Sequence, residues 1–132
     1  MKIAQNILGV VLGLLFLAAS LTFLLNMVPD QPPPPEGSAM ALFMGAFIPT
    51  GYMKFVKICE LIGGILVAVP RTRNLGLLVL GPIIINILAF HIFITNWEGV
   101  GNPMLLTIVA ITLFLLWSER RAFGQLVAAK RS

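Results

Sequence analysis

Four side chains of this sequence, Lys57, Glu60, Asn86 and His91, carry groups able to do chemistry, and all four stand in stretches that are otherwise nearly pure hydrocarbon. Lys57 and Glu60 are three residues apart, so on a helix they share a face and their charges can pair. Asn86 and His91 are five apart, about 140° around a helix, so one of them can face a different neighbour. A carboxylate that exchanges protons, an imidazole, an amide and a cation are together able to hold the polar atoms of a mainly apolar molecule. An ionised side chain at the middle of a membrane helix costs about 2.5–3.5 kcal/mol on insertion scales, which argues for clustering over exposure to lipid.

The elements that must position these groups follow from composition. With 58% of its 132 residues hydrophobic and only 11% charged, the chain lies outside the soluble range and reads as an all-α integral membrane protein. Residues 7–27 and 75–95 contain no Asp, Glu, Lys or Arg, and each is long enough to cross ~30 Å of hydrocarbon as a helix. Residues 52–69, in spite of Lys54, Lys57 and Glu60, and the shorter 103–118 complete an expected four-helix bundle. The expected spans are 4–28, 52–69, 75–95 and 103–118, in a single transmembrane domain covering 1–132. The first apolar run is longer than the core of a cleavable signal, so it is expected to remain as an anchor. The lone Cys59 allows no internal disulfide.

If the spans alternate, Lys2, Arg71, Arg73, Arg120, Arg121, Lys130 and Arg131 fall on one side, which is then cytoplasmic and holds both termini. Asp30, Glu36 and Glu98 fall outside, with Trp97 and Trp117 suited to the two interfaces. The net charge of +4 has no aromatic interleaving of the kind that reads nucleic acid, and it points to anionic lipid instead. Residues 29–37 form an external proline-rich spacer, extended because proline fixes φ and removes donors. The apolar residues 38–50 are too few to span and predict a short interfacial or re-entrant helix, placed to lie across the outer mouth. The short "PRTRN" turn makes the second and third spans antiparallel neighbours, and residues 119–132 form a basic cytoplasmic tail.

At ~1.5 Å rise per residue, Lys57 and His91 lie at one depth and Glu60 and Asn86 a little deeper, on two helices bound to touch. Gly63 and Gly64 let a neighbouring helix approach the same face. Two roles fit such a cluster. It can serve as glue between helices, or it can line a pocket in which a quinone ring docks, with His91 and Asn86 bonding to its oxygens and Glu60 exchanging a proton. A carboxylate beside a histidine also suits a proton-conducting or small-molecule transport element, and a scaffold subunit is the third class. One histidine excludes bis-histidine haem, and no zinc set, nucleophile triad or phosphate loop is present, so no catalytic residue and no metal ligand is assigned.

The stretch "GYMKFVKICELIGGILVAVPRTRNLGLLVLGPIIINILAFHIFI", residues 51–94, resembles the DoxX-like family of small bacterial membrane proteins. The likeness rests on the Lys and Glu opening the second span, the glycines after them, the basic turn and "PIIINILAFH" on the third. It implies a four-helix protein of the bacterial inner membrane, similar in arrangement to a subunit of thiosulfate:quinone oxidoreductase. A quinone-binding or accessory subunit is therefore expected, not a self-sufficient enzyme. Such a subunit has no redox centre of its own and needs a redox enzyme as partner. Homo-oligomers are a further expectation, because so small a bundle leaves broad apolar faces for other copies or for lipid.

Overall fold

A computed structural model describes residues 2–28, 32–97 and 101–128, and every regular element among them is helical. Helix α1 (Lys2–Leu24) is followed by the short α2 (Ala39–Phe47) and by α3 (Tyr52–Ala68). A single 3-10 turn (Pro70–Thr72) leads into α4 (Arg73–Ala89), which runs on as a π-helix (Phe90–Ile94). Helices α5 (Pro103–Ser118) and α6 (Arg120–Val127) are the last elements among the described residues. Asp30, Glu98, Lys130 and Arg131, like the start of the proline-rich loop, lie outside the described residues.

Two helical stretches, Lys2–Leu24 and Pro70–Ile94, are long and apolar enough to cross a membrane. Helices α3 and α5, at 17 and 16 residues, rise only about 24–26 Å. Helix α5 is followed across a 74° bend by α6, and taken as one span that broken pair would be a third candidate.

The turn end of the α3–α4 hairpin is tightly closed. Pro70 opens the turn, and Thr72 Oγ1 donates to the Leu66 carbonyl at 2.7 Å, satisfying one of the acceptors left at the end of α3. Gly76 lies against the backbone of α3, where a Cβ would come within 2.5 Å of the Val67 nitrogen. Helix α1 crosses α3 at Gly13 and Gly64, and a Cβ on Gly13 would sit 2.5 Å from the Gly64 carbonyl oxygen. Small residues thus replace side-chain layers with backbone contact, which is how helices associate where burial from water gives no drive. Around these crossings Leu12, Phe16, Val67, Leu77, Leu80 and Leu115 form the fully buried apolar core.

Arg73 differs from its sequence reading as one of the basic residues of the turn. It is the first residue of α4 and only 6% exposed. Its Nε donates to the Val67 carbonyl and its Nη1 to Asn6 Oδ1, both at 3.1 Å. The guanidinium lies directly over Gly9 of α1, so a side chain there would have to displace it. The residue pins α1 onto the hairpin.

The other end of the hairpin is open. Buried residues of α3 begin at Glu60 and those of α4 stop at Ile84, so the last turns of both helices on the α2 side have no buried residue. Helix α2 lies at this end. Ser38 caps it by accepting from the Ala41 amide at 3.2 Å, and Gly51, with φ of 82°, supplies the left-handed turn into α3.

Candidate functional site

Where α3 and α4 part, they enclose with α2 and α5 a cavity of about 850 Å3. Lys57, Glu60, Asn86 and His91 all line it, together with aromatic side chains from α1, α2, α3 and the π-helix.

The ion pair is built locally. Residues 57 and 60 stack one turn apart on α3, which brings Lys57 Nζ to 3.2 Å from Glu60 Oε2. Glu60 is 3% exposed, whereas Lys57 is partly accessible and its ammonium lies 5.9 Å from the centroid of Phe23 on α1. The short carboxylate is held at the wall while the longer cation reaches along it toward an aromatic face, an arrangement that offsets part of the desolvation of both charges.

Asn86 and His91 are each held by the carbonyl four residues back on their own helix. Pro82 interrupts the helix interior, and four residues on, Asn86 Nδ2 donates to the Pro82 carbonyl at 2.9 Å. Beyond Ala89 the helix widens, with the Thr95 amide reaching the Phe90 carbonyl at 3.1 Å in the i to i+5 pattern. His91 lies in this π turn, with its Nδ1 2.8 Å from the Ile87 carbonyl oxygen. Neither side chain bonds Glu60. The structure therefore brings the four groups to one cavity, with one direct contact among them and two groups turned onto their own helix.

The mouth is aromatic. Phe43 and Phe47 of α2 stack with centroids 4.1 Å apart, Phe43 lies 4.8 Å from Phe90, and Phe47 lies 4.5 Å from Tyr52. Phe90 in turn meets the His91 ring edge-on at 5.3 Å. Helix α2 is thereby tied to both sides of the opening by ring contacts, each worth about 0.5–1.5 kcal/mol beyond area burial. Reading Phe43 and Phe47 only as part of an interfacial helix missed this wall; their i, i+4 spacing was the available signal. Among the described residues no three His, Cys, Asp or Glu side chains are grouped to hold a metal ion.

No family model matches the chain, and no solved structure matches it. Over 73 residues, 54% of its length, it is 36% identical to the uncharacterized protein YwoB of Bacillus subtilis (strain 168). The aligned stretch is 45% of that relative, so the chain spans less than half the length of the curated protein it matches.

Proposed function

We propose that this chain is a DoxX-like, multi-pass protein of the bacterial cytoplasmic membrane whose cavity binds a quinone-type ring for a redox enzyme. In this reading α1, α3, α4 and α5 form a four-helix transmembrane bundle with both termini cytoplasmic, and α2 lies at the outer interface. One observation carries it: a buried carboxylate paired with a half-buried ammonium, an imidazole and an amide line a cavity of about 850 Å3 that is otherwise mostly aromatic and aliphatic. Small-molecule sites have this size and this sparse polarity. An intramembrane ion pair costs free energy that helix packing alone does not require, so its place beside an open volume favours a ligand.

Binding is favoured over conduction by what lies beneath. Between Glu60 and the turn the interior is filled by Phe16, Val67, Leu77, Leu80 and Leu115, and the described residues offer no further titratable group there until Arg73. A proton relay has no next station.

The test is titration of a short-chain ubiquinone into the purified protein in lipid nanodiscs, read by quenching of tryptophan fluorescence. Combining Glu60→Gln with His91→Ala should weaken binding at least about tenfold, or ~1.4 kcal/mol, as expected for the loss of one good hydrogen bond at a buried site. Affinity indistinguishable from wild type would remove the site. Co-purification of a redox enzyme under mild detergent checks the partner.

A further inference from the structure

Resting on that reading, we infer that the cavity selects the reduced, hydroxylated form of its ring, a quinol or related phenol, over the oxidised quinone. The ground is how His91 spends its donor. A backbone carbonyl can only accept, so the 2.8 Å contact between His91 Nδ1 and the Ile87 oxygen places a proton on Nδ1. With Nδ1 as the donor, the acceptor position of the ring is Nε2, for which no partner is found among the described residues, on a ring that lines the cavity. By the same rule the Asn86 amide nitrogen faces the Pro82 carbonyl and spends one of its two N–H donors there, so this residue offers the cavity both an N–H and the Oδ1 acceptor and does not discriminate between ring forms.

The Nε2 position asks for a hydrogen-bond donor. A quinone carbonyl has none to give and would meet the Nε2 lone pair with its own. A hydroxyl on the same ring donates to Nε2. At the Lys57 side the demand is reversed, since the ammonium pairs with Glu60 through one contact and keeps further N–H donors. A hydroxyl satisfies that side too, because its oxygen also accepts, so a ring bearing hydroxyls suits Nε2 and the ammonium alike, whereas a ring bearing carbonyls leaves Nε2 unpaired.

The experiment compares three rings of nearly equal shape against the full-length protein in nanodiscs under anaerobic conditions: tetramethylhydroquinone, tetramethyl-1,4-benzoquinone and 1,4-dimethoxytetramethylbenzene. Hydroquinone is expected to bind about tenfold more tightly than the other two, the scale of one net hydrogen bond with its partner left unpaired on removal. In His91→Phe, which keeps an aromatic ring and removes the acceptor, that preference should fall to less than about twofold. The wild-type comparison needs no variant to fold. Equal affinity for all three rings, or tighter binding of the quinone, overturns the inference while leaving a ring-binding cavity in place. Binding of none of them overturns both.

Discussion

Two buried charged centres on one helical hairpin are handled in opposite ways. At the turn end the Arg73 guanidinium is held by two hydrogen bonds to Val67 and Asn6 and pressed onto Gly9, in a region where glycines bring backbones into contact. At the α2 end Lys57 and Glu60 hold each other, and beside them is empty volume. The first arrangement closes the structure and leaves no room for anything else. Polar capacity is left over at both ends, since Arg73 Nη2 is buried without a hydrogen-bond partner, but only at the second does it lie next to space, as a binding site requires. The difference is geometric before it is chemical: small residues at the crossings draw the helices together at one end, so they separate at the other.

The sharpest way to break the contrast is to remove one charge at the open end. Lys57→Met strands the Glu60 carboxylate in the wall and should lower stability by about 3–5 kcal/mol, while adding Glu60→Leu should restore most of it. Unfolding in SDS from mixed micelles reads both. A neutral single variant would mean that the open volume solvates Glu60 without its partner, so the ion pair would not be what holds the charge at that end.

At the closed end the corresponding change is one methyl group. Gly76→Ala drives a Cβ against the Val67 backbone, which has no rotamer to yield, so α3 and α4 must separate at a cost of about 1–3 kcal/mol. The same unfolding assay measures it, and retention of wild-type stability would show that the hairpin is not closed by backbone contact. A smaller effect is expected from Ser38→Ala, which removes the cap of α2 and costs that helix about 1 kcal/mol. Because α2 is held mainly by its ring contacts, amide hydrogen exchange should rise in residues 39–47 while the helices behind stay protected. Faster exchange throughout α3 as well would mean that α2 stabilises the open end instead of only covering it.

What the sequence disclosed was whatever depends on local spacing. The uncharged runs locate α1 and α4, the three-residue step from Lys57 to Glu60 gives their pairing, and the short basic turn makes α3 and α4 neighbours. Depth counting along two antiparallel helices put Asn86 and His91 beside that pair, and both line the same cavity. Their hydrogen bonds were not legible, because a side chain on a helix can turn either to a neighbouring helix or back to the carbonyl four residues before it, and residue type does not say which. Arg73 was not legible either. Treating basic residues as point charges that bias topology overlooks a planar side chain long enough to reach the adjacent helix at a glycine.

The smallest expected effect is also the one that isolates the geometric argument from charge. Gly81, five residues from Gly76 on the same helix, has nothing within 4 Å of where its Cβ would stand, and it borders a second, apolar cavity of about 200 Å3 between α4 and α5. Alanine there adds a methyl to open space and removes the backbone freedom of glycine, so stability should rise by up to about 1 kcal/mol. The two glycines share a helix and a substitution, which leaves the distance to neighbouring backbone as the variable. If Gly81→Ala proves as damaging as Gly76→Ala, α4 is packed as tightly against α5 as against α3, and close backbone contact is not confined to the α3–α4 turn end.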